Sequence, residues 1–151
     1  MKKSWLLLAL SLSVFSFIHP TGFHGYVSFK GSKQGQLKGE STNSARKDKT
    51  WFELASFDFG GELPVDASRS AAAGKRTHRP FLLTKKVDDA TPKLLQAHQT
   101  NELFETVVVQ TVNDQDQPTK TITLKNALIS SIKTNGNIES ISFTYDAIEQ
   151  Q

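Results

Sequence analysis

One stretch of this chain reads as helix and almost everything around it reads as strand, and a lone helix among strands must bury its apolar side on the sheet. The helical stretch is Asp88 to Gln99, Asp-Asp-Ala-Thr-Pro-Lys-Leu-Leu-Gln-Ala-His-Gln. Thr91 is placed to cap the first free amides and Pro92 to take the first helical position, where its missing N–H costs nothing. Leu94, Leu95 and, one turn on, His98 then form a narrow stripe that a sheet face or barrel mouth would cover.

The flanking segments alternate as strands do, with successive side chains on opposite faces. Gly25 to Phe29 opens the folded part, and Gly31, Gly35 and Gly39 punctuate a polar stretch after it. Thr42 to Lys49 has the composition of a surface loop. In Trp51 to Phe59, Trp51, Phe57 and Phe59 share one parity while Phe52 and Leu54 share the other. That mixture predicts either a strand covered on both sides or a bulge near Ala55 and Ser56. Glu62 to Arg79 reads as a long excursion, a contact arm or a loop. Phe81 to Val87 and Phe104 to Val112 are strands, the second carrying Val107 to Val109. Asp114 to Pro118 turns the chain.

From Thr121 to Ile132 the apolar Ile122, Leu124, Leu128 and Ile132 fall on even positions, which predicts one long half-buried strand. Asn135-Gly136 suits a tight hairpin. Beyond it, Ile141, Phe143, Tyr145 and Ala147 alternate with polar residues as a last strand. The expected fold class is mainly β: a barrel-like, two-sheet domain with one short flanking α-helix.

At 151 residues, with 37% hydrophobic and 22% charged residues, the chain suits one domain with a real core. Lys2 and Lys3 followed by the apolar run Trp5 to Ile18 have the order of a secretory signal peptide. The expected division is therefore a signal peptide over 1–22 and a β-barrel domain over 23–151, with a secreted or periplasmic product. The run is shorter than the roughly 20 residues a membrane-spanning helix needs, so no stable membrane insertion is expected. Without the two leading lysines, 16 of the 18 basic residues face 15 acidic ones, a balance that gives nucleic acid nothing to hold. There is no cysteine, so an exported domain of this kind must rely on its core and on partner subunits.

Reactive groups are sparse. His19, His24, His78 and His98 are scattered and suggest no metal site, and no serine lies in a Gly-x-Ser-x-Gly elbow. Gly74-Lys75 lacks the spacing of a phosphate loop. Asp88 and Asp89 could form an acid and base pair, but carboxylates just ahead of a helix more often favour its positive end. The aromatic group Trp51, Phe52, Phe57 and Phe59 could stack a sugar or base; in a two-sheet domain it is core. No catalytic, cofactor-binding or metal-binding residue is assigned, no cofactor is expected, and the chain is not expected to be an enzyme.

Five segments in order carry a family resemblance: Leu37-Lys38-Gly39-Glu40-Ser41; Trp51-Phe52-Glu53-Leu54 through Phe57-Asp58-Phe59-Gly60; Phe81 to Asp88 with Ala90-Thr91-Pro92-Lys93-Leu94-Leu95; Ile122 to Ile132; and Ile141 to Ile148. Together they resemble the Hcp family. The resemblance implies a barrel-like pair of sheets with one flanking helix, assembled as a hexameric ring. It also implies stacking of such rings into the inner tube of the type VI secretion system, a contractile injector, with effector proteins or other secretion-system components as partners. The excursion Glu62 to Arg79 is then the candidate for contacts between stacked rings. The apolar N-terminus departs from the pattern, because tube subunits assemble in the cytoplasm before they are propelled outward. An exported Hcp-like binding module acting without an injector therefore stands beside the tube reading.

Overall fold

The computed structural model describes residues 24–39, 46, 48–59 and 79–151. Among them the strands are β1 Gly25–Gly31, β2 Gly35–Gln36, β3 Phe52–Asp58, β4 Phe81–Lys86, β5 Leu103–Val112, β6 Pro118–Asn135, β7 Ile138–Thr144 and β8 Ala147–Gln150, with helix α1 Thr91–Gln99 between β4 and β5. The sheet runs β1-β3-β4-β7-β6-β5, and β5 returns to pair with β1. Six antiparallel strands thus close into a barrel, which removes the exposed edges that an open sheet would carry. The expected β-rich domain with one flanking helix is what forms. The expected signal peptide and the Glu62 to Arg79 excursion fall outside, or almost wholly outside, the described residues.

The barrel interior is a continuous apolar core: Val27, Phe29, Phe52, Phe81, Leu83, Phe104, Val107, Ile122, Leu124, Ile141 and Phe143 are all buried. Parity selects these residues until a strand breaks step. In β3, Phe52 and Leu54 point inward, and the register then shifts between Leu54 and Ser56. The extra residue flips the alternation, so that Phe57 and Phe59, on the other parity, pack against the same core. The mixed parity of this segment was the trace of a bulge.

β6 changes step in the same way, where the sequence predicts an unbroken alternation. Ile122 and Leu124 are buried, but the next inward residues are Ala127 and Ile129, and Leu128 is only half-buried. The step lies at Asn126, whose φ of 49° is a left-handed conformation that Asn tolerates better than most residues. Opposite this kink the last strand also breaks. β7 ends at Thr144 and β8 begins at Ala147, where a single strand was expected, and Asn126 Nδ2 donates to Asp146 Oδ2 at 3.1 Å across the break. The β6–β7 hairpin turns one residue later than predicted. Asn135 pairs with Ile138, so Gly136-Asn137 is the turn, with Gly136 at φ 62°. Positive φ at only the first central position is the habit of a glycine-led hairpin turn.

The helix is shorter than the predicted stretch and differently capped. Ala90 is the N-cap, Thr91 is already helical, and no side chain bonds the first free amides. The Thr91 hydroxyl instead donates to Glu139 Oε1 at 3.1 Å, a buried tertiary partner that outcompetes the local cap. Thr91, Leu94 and Ala97 face the barrel, while Leu95 is 40% exposed. His98 lies half-buried with Nδ1 3.0 Å from the Ile129 carbonyl, tying the helix to β6.

Candidate functional site

Among the described residues, none of the groups weighed as chemistry come together. Asp88 Oδ1 lies 2.7 Å from Lys85 Nζ, whereas Asp89 is exposed, so the two are not a working acid and base. His24 is exposed and His98 is spent on a backbone carbonyl; His19 and His78 fall outside the described residues. Among the described residues no group of three His, Cys, Asp or Glu side chains could hold a metal. The aromatic group is structural. Phe52 is buried, and Phe57 and Phe59 stack on Phe81 with ring centroids 5.9 and 6.3 Å away. Trp51 lies under the Arg46 guanidinium at 4.5 Å.

Three polar clusters are built with more care than a bland barrel needs. The first is Lys85, fully buried inside the β4–β7 face, with Nζ 2.7 Å from Glu139 Oε1, 2.7 Å from Asp88 Oδ1 and 2.9 Å from the Lys86 carbonyl. Lys85 and Glu139 are register partners on neighbouring strands, and their alternation with Phe81, Leu83, Ile141 and Phe143 places both inward. That signal was present in the sequence: Lys85 and Glu139 stand at core parity.

The second cluster fixes Arg46 to the barrel wall. Arg46, 8% exposed, sits between the Tyr26 ring at 4.0 Å and the Trp51 ring, and Nη2 donates to Gln110 Oε1 at 2.7 Å. Burial lowers its guanidinium pKa, against the opposing pull of Tyr26, Asp116 and Asp48. The Gly39 amide donates to the Lys49 carbonyl. A Cβ there would lie 2.2 Å from the Trp51 carbonyl oxygen, so only glycine permits this approach.

The third is Glu102, buried just before β5. Its Oε1 accepts the amides of Lys33 and Gln34, both at 2.8 Å, and its Oε2 accepts Gln34 Nε2 at 3.1 Å. It therefore ties down the β1–β2 turn, and Gly31 leaves room for it: a Cβ at Gly31 would meet Oε1 at 2.5 Å. Burial would raise this carboxyl's pKa, but the bonds from Gln34 and the amide and charge of Lys33 outweigh it and hold the group below the ordinary glutamate value. A depressed folded value means that the stabilisation is complete above the unfolded value, about 4.3, and is lost as pH falls through the lower folded one. Glu102→Gln is therefore expected to lower the urea midpoint at pH 7 and to shrink its fall between pH 5 and pH 3. An acid limb as steep as the wild type's would show that this carboxylate is not its source.

On the outer wall, across β3, β4, β7 and β6, one register row holds Ser56, Thr84, Ser140 and Lys133 and the next holds Asp58, Leu82, Ser142 and Ser131, with Leu82 39% exposed. Across β1, β5, β6 and β8 charges are paired instead, Lys30 with Glu105 at 2.6 Å and Lys125 with Glu149.

Comparison with known proteins bears on what such a barrel serves. Residues 26–151 match the family described as "Type VI secretion system effector, Hcp". A "Major exported protein" of Pseudomonas aeruginosa is 27% identical over 146 residues, covering 82% of this chain and 85% of that protein. Among solved structures, the secreted protein Hcp3 of Pseudomonas aeruginosa superposes with a TM-score of 0.65 at 23% identity, over 84% of this chain and 88% of that one. Hcp1 of Salmonella typhimurium gives 0.64 at 14% identity, over 85% of each. At such identities the structures establish a shared fold, and the family match spans more than four fifths of the residues: this chain belongs to the Hcp family of type VI secretion proteins.

Proposed function

We propose that the chain is a structural, self-assembling subunit that closes with copies of itself into a six-membered ring, stacks those rings into the inner tube of the type VI secretion system, and carries effector proteins with them. The observation that carries this reading is the family match over residues 26–151, borne by a closed barrel with a continuous apolar core. Its expected export accords with the name of the Pseudomonas relative. The subunit acts through its surfaces, a reading that the family match supports. Residues 23–151 form the assembling domain, and residues 1–22 are a signal segment. That segment supports a second reading, an exported Hcp-like module that works without an injector, because Lys2, Lys3 and the apolar run to Ile18 suit the general export route.

Light scattering and electron microscopy of purified residues 23–151 test the assembly. Rings of six are expected; a monomer persisting at high concentration overturns it. Fractionation of cells carrying a C-terminally tagged full chain separates the two readings. A shortened product outside the cytoplasm in cells that lack a contractile apparatus supports the module, and release only when that apparatus is present supports the tube.

A further inference from the structure

We propose that Asn135, the residue ahead of Gly136 at the tip of the β6–β7 hairpin, is a site of spontaneous deamidation, and that its isoaspartyl product loosens the approach to helix α1. Asn135-Gly136 is the one place in the chain where glycine follows asparagine. Because the turn itself is Gly136-Asn137, it does not need Asn135, which closes β6 opposite Ile138 at the last rung of the ladder and is exposed. Among the described residues nothing bonds its side-chain amide, and no carbonyl accepts the Gly136 N–H. Electrophile and nucleophile are therefore adjacent, uncommitted and in water. Gly136 carries no Cβ to shield its nitrogen, and no other atom lies within 4 Å of where one would stand.

The other described asparagines are held out of this chemistry. Asn113 Oδ1 accepts the amides of Gln115 and Gln117 while its Nδ2 donates to Gln117, and Asn126 Nδ2 donates to Asp146. Asn101 is followed by Glu102 and Asn137 by the branched Ile138, so in both the next amide is crowded by a side chain.

The step is a hydrolysis in two parts. The Gly136 nitrogen attacks Asn135 Cγ, the bond from Cγ to Nδ2 breaks, and Nδ2 leaves as ammonia with the Gly136 proton, which leaves a succinimide ring. Water then opens the ring. Cleavage between Cγ and the Gly136 nitrogen gives aspartate; cleavage between that nitrogen and the Asn135 backbone carbonyl gives isoaspartate, whose chain runs on through Cγ. Nothing is oxidised or reduced. An extended strand residue keeps Cγ away from the next nitrogen, so attack proceeds from the frayed hairpin end, where only the last rung must open.

The two products differ in their effect. Asn135 shares a strand face with Lys133 and a register row with Lys86, both exposed, so an aspartate there joins a basic part of the outer wall without moving the backbone. Isoaspartate adds a backbone methylene ahead of the turn and displaces Asn137, whose carbonyl accepts the Val87 N–H at 2.9 Å. Val87 leads into Asp88, which holds Lys85 and the Ala90 amide at the start of α1.

The purified full chain is incubated in mildly alkaline buffer, folded and in urea, beside the folded variants Asn135→Gln and Gly136→Asp, the latter because Asp tolerates positive φ. Circular dichroism checks that each variant folds. Trypsin cleavage after Lys133 releases residues 134–151, whose fragments in mass spectrometry assign a new acid to 135 or 137 and tell aspartate from isoaspartate. The wild type is expected to gain both acids at 135, about tenfold more slowly folded than in urea, since one rung of hydrogen bonds must open. Gly136→Asp is expected to slow the reaction a further tenfold or so, about 1.4 kcal/mol in barrier, and Asn135→Gln to abolish it. Val87 amide exchange is expected to be faster in the isoaspartyl fraction. A folded chain that reacts no faster at Asn135 than at Asn113 or Asn126, aspartate without isoaspartate, or a Gly136→Asp variant as fast as the wild type overturns the site. Unchanged Val87 exchange overturns its coupling to α1.

Discussion

Lys85→Met is expected to lower stability by about 3–5 kcal/mol, the scale for removing one partner of a buried ion pair. The size follows from what the lysine satisfies. Its three N–H groups point to Glu139 Oε1, Asp88 Oδ1 and the Lys86 carbonyl, all within 2.9 Å, and Lys85 and Glu139 are fully buried. Once the cation is gone, Glu139 keeps the Thr91 hydroxyl as a donor on Oε1, while its buried Oε2 has no hydrogen-bond partner among the described residues even now. A carboxylate left in that position has lost its counter-charge without regaining water. The companion variant Lys85→Met with Glu139→Leu is expected to recover most of the loss, because well-packed apolar residues often replace a buried pair at little cost. Urea unfolding of the two variants decides the matter. If the double variant unfolds as early as the single one, the loss is one of packing and not of an abandoned charge.

The same cluster explains how the helix is seated. Asp88 Oδ1 serves both Lys85 Nζ and the Ala90 amide, and Thr91 links the first helical residue to Glu139 on β7. The helix start is therefore fixed by the barrel, which is why local capping logic misplaces it by a residue. In the Lys85→Met variant, amide exchange is expected to quicken first in Thr91–Gln99, ahead of the β5–β6 ladder.

How much of this was legible before the fold was known depended on whether parity held. Where strands run unbroken, as in Phe81 to Lys86 or Ile138 to Thr144, alternation names the inward residues, and it names Lys85 and Glu139 among them even though charge argues against burial. Parity fails at Asn126 and at Tyr145-Asp146 for a reason local patterns do not carry: a barrel must bend its strands, and the bend in one strand breaks its neighbour. The Glu102 and Arg46 clusters are illegible for a different reason. Glu102 serves backbone amides 68 and 69 residues away in sequence, and Arg46 reaches Gln110 across 64 residues, separations at which residue types alone say nothing.

Phe29→Ala is expected to cost about 3–5 kcal/mol, the range for truncating a buried aromatic, and for a domain of ordinary stability that is a large share of the total. Phe29 is fully buried, with ring centroids 5.5 Å from Phe52, 5.9 Å from Phe104 and 6.2 Å from Phe143. Those partners stand on β3, β5 and β7. The first two strands flank β1, but β7 lies across the barrel, so this ring joins walls that no hydrogen-bond ladder connects. Removing it leaves a cavity that the closed sheet cannot collapse to fill, because inward movement of one strand is resisted by the ladders on both sides. Phe57→Ala is the control: that residue is half-buried and stacks on Phe59 and Phe81, on its own side of the barrel, so its loss is expected to be the smaller. Denaturant midpoints at unchanged slope measure both. Equal losses at the two positions would mean that the barrel interior relaxes as freely as its rim, and that the cross-barrel aromatic contact is not what keeps the walls apart and in register.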